Sequence, residues 1–112
     1  MNDLQNHVES IANTLTNGFG DELNDDGEPM NAFDYLQDAL DIEYVVTGSG
    51  KYLGARILVA FGGPNIWIDT RRGMVDGYHW SDRASASFTD NIGLDDALAE
   101  FVVLPIIERG IK

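Results

Sequence analysis

The chain has 112 residues, of which 44% are hydrophobic and 23% charged, and its formal net charge is −12. This length and composition predict one acidic folded domain over residues 1–112 and exclude a low-complexity disordered chain. The absence of cysteine excludes disulfides, thiol nucleophiles and thiolate metal sites. With neither a signal-peptide pattern at its start nor an apolar run of about 18 residues, we expect a cytoplasmic protein that does not bind membranes.

Two helices are predicted in the first forty residues. The first starts at Asn2 or Asp3 and ends at Gly18, because apolar residues recur there at helical spacing. Residues 18–28 combine five acids with glycines and asparagine and predict a loop. The second helix is capped by Asn31, with Asp34 completing a capping box. Its core face is expected to carry the apolar residues Phe33, Leu36 and Leu40, and its solvated face Asp34, Asp38 and Asp41.

Strand signals dominate the middle of the chain. Alternating or β-branched residues predict strands over 42–47, 52–61, 66–69 and 74–80, separated by short turns rich in glycine. The sequence therefore predicts an α+β fold with a four-stranded antiparallel meander, flanked by two N-terminal helices and one C-terminal helix.

The C-terminal helix is predicted from Leu94 onward, because apolar residues recur at helical spacing as far as Val102. Residues 81–93 are small and polar and predict an irregular connection. Pro105 is expected to break or kink the helix and leave residues 106–112 as a C-terminal tail.

The negative charge is concentrated in the first half of the chain. Residues 1–50 contain eleven acidic residues and no Lys or Arg, whereas residues 51–112 contain eight acidic and seven basic residues. Such asymmetry predicts an acidic surface that binds a basic protein, and it argues against direct contact with nucleic acid or anionic membranes. The predicted partner-binding residues are Asp21, Glu22, Asp25, Asp26, Glu28, Asp34, Asp38 and Asp41. Solubility alone is the competing explanation of this charge.

Signals for catalysis and for ligand binding are weaker. His79 would lie near Asp69, Asp76 and Asp82 if the last two strands pair, which would permit acid–base chemistry. We favour a structural histidine and predict no catalytic residue, no metal site and no cofactor. Trp67 and Trp80 would form an aromatic platform if both were exposed, with ordinary sheet packing as the alternative.

Four segments resemble a family of small acidic proteins from bacteriophages and integrated mobile elements. They are NAFDYLQDALDIEY at residues 31–44, ILVAFGGPNIWIDT at 57–70, VDGYHW at 75–80 and DNIGLDDALAE at 90–100. The resemblance implies an accessory protein of a mobile element, acting in the cytoplasm of a host bacterium. That class includes anti-CRISPR and anti-restriction inhibitors, many of them acidic mimics of nucleic acid. The resemblance implies no catalytic residues.

Taken together, charge and resemblance predict an inhibitor that occupies the basic surface of a nucleic-acid-binding host defence protein. Carboxylates on a helix and in a neighbouring loop can approximate the spacing of phosphates along a nucleic-acid strand. The alternative is a non-enzymatic oligomerising or scaffold module that uses Trp67, Trp80 or the C-terminal tail. We expect a monomer or a small homo-oligomer.

Overall fold

A computed structural model describes residues 3–100 of the chain, and these residues form an α+β fold. Its five strands form one antiparallel sheet in the order β1-β2-β3-β4-β5, so each strand pairs with its neighbour in the sequence. The elements are α1 (Asp3–Asn17), α2 (Ala32–Gln37), β1 (Asp41–Val46), β2 (Tyr52–Ala60), β3 (Asn65–Asp69), β4 (Met74–His79) and β5 (Asp82–Ser87). A third helix, α3, starts at residue 94 and is described through residue 100.

The predicted α+β class and the antiparallel meander are confirmed, but the strand count of four was wrong. The fifth strand, Asp82–Ser87, lies in the segment predicted to be irregular and pairs with β4 along its whole length, from Met74 opposite Ser87 to His79 opposite Asp82. The predicted end of the α3 helix beyond residue 100, the break at Pro105 and the tail 106–112 lie outside the described residues.

The small core-facing residues of β5, Ala84 and Ala86, are explained by the close approach of α1, which packs across β4 and β5. A Cβ atom at Gly77 of β4 would lie only 2.7 Å from Val8 Cγ2 and 2.9 Å from Leu4 Cδ1. Ala84, opposite Gly77 on β5, is also buried. Small residues are therefore required where the helix meets the sheet, and they removed the alternation of large apolar residues that would have predicted β5.

The helix α2 begins where the sequence predicts and ends earlier. Asn31 caps it, accepting a hydrogen bond from the backbone N–H of Asp34 while the Asp34 carboxylate accepts one from the backbone N–H of Asn31, which confirms the capping box. With its start fixed, the buried positions are Ala32 and Leu36, one helical turn apart. The expected core residues Phe33 and Leu40 are exposed, which corrects the predicted face of this helix.

The core lies between one face of the sheet and the helices. Alternate residues of β2, β3 and β4 supply Ile57, Ile66, Ile68 and Val75, all fully buried, and the helices cover them from one side. The opposite face, which we call the open face, carries the other alternate set of residues, among them Arg56, Trp67 and Asp76. The fold thus separates a helical side from an open sheet side.

Candidate functional site

The loop between α1 and α2 is ordered by the side chain of Asn24. Its Oδ1 accepts hydrogen bonds from the backbone N–H groups of Asp26 (2.9 Å) and Glu28 (3.0 Å), and Gly27 adopts a positive φ of 78° in the same turn. The backbone N–H of Asn24 donates a hydrogen bond to the carbonyl of Glu28 at 2.8 Å, and Leu23 forms a β-bridge with Pro29. The acidic segment is therefore a folded hairpin-shaped loop and not an unstructured connection.

Asp34 ties this loop to α2. Its Oδ2 accepts hydrogen bonds from Asn24 Nδ2 and from the backbone N–H of Asn31, both at 3.1 Å. The sequence predicted Asp34 on the solvated face of the helix, but in the structure its side chain is half-buried. Its carboxylate holds the loop against the helix, and its acceptor capacity is partly used for that purpose.

A depression of about 270 Å³ lies between this loop and α2, and we call it the acidic depression. Five of the eight predicted residues line it, namely Glu22, Asp25, Asp26, Asp34 and Asp38. The other described lining residues are Leu23, Asn24, Met30 and Gln37, so within residues 3–100 no Lys or Arg side chain contributes to its wall. The structure thus brings together most of the carboxylates that the sequence distributes over residues 22–38.

Three predicted residues do not line the acidic depression. Asp21 and Glu28 are exposed on the same loop, whereas Asp41 is the first residue of β1, where its carboxylate accepts a hydrogen bond from the backbone N–H of Ile42 at 2.9 Å. Because α2 ends at Gln37, Asp34, Asp38 and Asp41 do not share a helical face. The predicted helical array of acids was wrong in this respect.

Two features of this site could not be located by counting acids. Leu23, in the middle of the loop, is 59% exposed and adds apolar surface beside the carboxylates. Asn24 organises the loop, and the run Asn24-Asp25-Asp26-Gly27 is a typical signal of a turn that an Asx side chain stabilises. Among residues 3–100, no three acidic or histidine side chains are grouped closely enough to hold a metal ion.

The other candidate residues are distributed differently from the expectation. His79 is opposite Asp82 at one end of β4, whereas Met74, the partner of Asp69, lies at the other end. Within the described chain Asp69 and Asp76 instead pair with Arg72, so the predicted cluster around His79 does not form.

The two tryptophans do not form a joint platform. Trp67 is half-buried on the open face, where the Arg56 guanidinium lies 4.2 Å from its ring centroid. Trp80 lies in the turn between β4 and β5, is 93% exposed, and has a positive φ of 60°. The exposed position of Trp80 contradicts a role in sheet packing, whereas Trp67 is a packed residue of the sheet.

The open face carries a band of alternating charges across four strands. Glu43 pairs with Arg56 at 3.0 Å, and Arg72 pairs with Asp76 at 2.6 Å and with Asp69 at 3.8 Å. Asp76 is the buried member and also accepts a hydrogen bond from Ser85 at 2.8 Å. This face is therefore close to neutral, in contrast to the acidic depression on the helical side of the sheet.

The described residues form a small acidic α+β protein with the acidic depression on its helical side and a nearly neutral open face. Comparison of the chain with protein-family models, with curated proteins and with solved structures finds no match. No helix within the described residues is both long and apolar enough to cross a membrane.

Proposed function

We propose that the protein binds a basic surface of a partner protein through the acidic depression, and that it inhibits a nucleic-acid-binding host defence protein by mimicking nucleic acid. The observation that carries this proposal is the convergence of five carboxylates on one depression to which no cation of residues 3–100 contributes. Carboxylates that share one region of the surface repel one another through the solvent, and a partner or solvent ions of opposite charge compensate that repulsion. A Lys/Arg-rich surface is the partner that provides such compensation.

The order of the loop supports recognition rather than a purely solubilising role. The Asn24 side chain bonds to the backbone N–H groups of Asp26 and Glu28, and Asp34 bonds to Asn24. The backbone that carries these acidic side chains is therefore already ordered in the free protein. Binding then costs less conformational entropy than it would for a flexible acidic tail. Long-range attraction to a positive surface also accelerates encounter, and this acceleration falls with ionic strength.

A charge-neutralising variant tests the proposal. Glu22→Gln, Asp25→Asn, Asp26→Asn and Asp38→Asn remove four negative charges from the acidic depression and leave Asp34, which has a structural role. The matched control removes four charges from exposed acids elsewhere, by Asp3→Asn, Asp82→Asn, Asp96→Asn and Glu100→Gln. Both variants change the net charge from −12 to about −8.

Each protein is immobilised and exposed to bacterial lysate at low salt, and bound proteins are eluted with a salt gradient and identified by mass spectrometry. We expect the wild type and the control to retain basic nucleic-acid-binding proteins that elute as salt rises, and the depression variant to lose them. Added DNA should compete for the same partners. Recovery of only neutral or acidic partners, or equal capture by the two variants, would refute the proposal.

A second candidate function, a non-enzymatic oligomerising or scaffold module, is favoured by the conformation of Trp80. A bulky residue with positive φ is uncommon, and an exposed tryptophan is a frequent anchor of protein interfaces. Light scattering over a concentration series tests self-association by the wild type and by Trp80→Gly. A wild type that stays strictly monomeric would exclude the oligomerising form of this alternative.

A further inference from the structure

A second depression, of about 390 Å³, lies on the open face where β1 and β2 meet the turn between β3 and β4. We call it the arginine depression, because Arg56, Arg71 and Arg72 line it together with Val45, Ala55 and Asp69. Residues 3–100 contain only five Lys or Arg residues, and three of them meet here. Such clustering of cations in a strongly acidic protein requires a physical reason.

Two of the three guanidinium groups are already paired. Arg56 bonds to Glu43 at 3.0 Å and lies over the Trp67 ring, and Arg72 bonds to Asp76 at 2.6 Å. Asp69 is occupied as well, because its Oδ1 accepts hydrogen bonds from the backbone N–H groups of the two turn arginines at 3.1 and 3.2 Å. The Arg71 guanidinium, in contrast, makes no ion pair with any residue in the described range 3–100.

The aliphatic stem of Arg71 nevertheless packs against the sheet. The stem lies across Gly54 of β2, where a Cβ atom would overlap Arg71 Cγ and approach its Cδ to 3.0 Å. Gly54 is buried, and its φ is not positive, so backbone conformation does not require glycine at this position. Glycine is needed for the close approach of the arginine stem, which packs against the sheet at this point.

We propose that the arginine depression binds a small molecule through a phosphate or carboxylate group, with Arg71 as the principal donor. The planar guanidinium presents a fork of N–H donors that matches these oxyanions and forms short charge-assisted hydrogen bonds. Arg56 and Arg72 add positive charge to the wall, and their carboxylate partners limit how many negative charges the site accepts. Because the net charge of −12 repels anions in general, saturable binding of an anion reports a local site.

The test is a titration of the isotopically labelled protein by NMR with inorganic phosphate, and separately with acetate, at constant ionic strength set with sodium chloride. We expect saturable shifts of the amides of Gly54, Arg71 and Arg72. Saturation with phosphate alone identifies a phosphate site, and saturation with both anions identifies a general oxyanion site. If the amide shifts change linearly with the concentration of phosphate and of acetate, and by as much as they do with chloride, the proposal is overturned.

Variants locate the site. Arg71→Ala should weaken anion binding about tenfold or more, the usual effect of losing hydrogen bonds to a charged group. Lys51→Ala is the matched control, since Lys51 is an exposed cation that does not line the depression, and it should bind as the wild type does. Unchanged binding by Arg71→Ala would refute the role of Arg71, whatever the outcome for other variants.

Gly54→Ala gives a second, independent readout. Its methyl group displaces the Arg71 stem without changing any charge, so binding should weaken while the far-ultraviolet circular dichroism stays that of the wild type. If this variant fails to fold, Arg71→Ala decides the question, because Arg71 is exposed in a turn. The variant with a neutralised acidic depression should retain anion binding, which separates this proposal from the proposed function.

Discussion

Asp76, the buried acid of the open face, is expected to stabilise the fold through its two side-chain hydrogen bonds. Its side chain is only 10% exposed and accepts hydrogen bonds from Arg72 at 2.6 Å and from Ser85 at 2.8 Å. Asp76→Ala removes both. A hydrogen bond between charged groups contributes about 1.5–3 kcal/mol and one from a hydroxyl about 1 kcal/mol, and relief from burying a carboxylate offsets part of the sum. We expect the free energy of unfolding to fall by about 2 kcal/mol.

Denaturant unfolding measures this loss directly, and for a domain of this size it corresponds to a fall in Tm of roughly 8–16 °C. Asp76→Asn keeps an acceptor for Ser85 and should lose about half as much. The control is Glu43→Ala, since the Glu43–Arg56 pair is 52% and 43% exposed and such pairs contribute at most about 1 kcal/mol. A cost below about 0.5 kcal/mol for Asp76→Ala, or an equal cost for Glu43→Ala, would refute the reasoning.

Three further predictions address the tyrosines, the α1 contact and the β4–β5 turn. Burial raises the pKa of Tyr35 from 10.0 to about 12, so the folded state keeps a proton that the unfolded chain loses. The free energy of unfolding should therefore fall between about pH 10 and 12, by on the order of 2 kcal/mol for Tyr35. Tyr35→Phe should reduce that fall without abolishing it, since burial also raises the pKa of Tyr52. Gly77→Ala should cost about 1–3 kcal/mol in urea unfolding because its methyl group meets α1, whereas Gly63→Ala, with open space around it, should cost under about 1 kcal/mol. Trp80→Gly should leave the free energy of unfolding unchanged or raise it by up to about 1 kcal/mol, because glycine adopts positive φ without strain. A fall in the free energy of unfolding of more than about 1 kcal/mol would contradict this expectation.

The elements that could be predicted from the sequence are those whose signal is local. Asn31 and Asp34 predicted the start of α2, and Gly18, which has a positive φ of 91°, predicted the end of α1. Alternating apolar and β-branched residues predicted the first four strands. β5 could not be predicted because its core-facing residues, Ala84 and Ala86, are small where α1 packs against the sheet. That packing depends on a contact between residues more than sixty positions apart.

The candidate site was predictable to a similar degree. Composition located the acidic segment, but the distinction between Asp34, which holds the loop, and Asp38, which is exposed, depends on the fold of that loop. The arginine depression could not be predicted at all. It forms because the sheet places Gly54 of β2 beside the turn that carries Arg71, and nothing in either segment alone indicates that approach.

The position of α1 has a consequence for how the chain folds during synthesis. α1 leaves the ribosome well before β4 and β5, the strands against which it packs, and a helix of 15 residues is only marginally stable in water by itself. The docking surface that β4 and β5 offer to its apolar stripe, which includes Leu4, Val8 and Leu15, is complete only when the chain has been made as far as Ser87. The acidic segment that follows α1 emerges in the meantime, and mutual repulsion between nascent chains then opposes their association through the uncovered stripe.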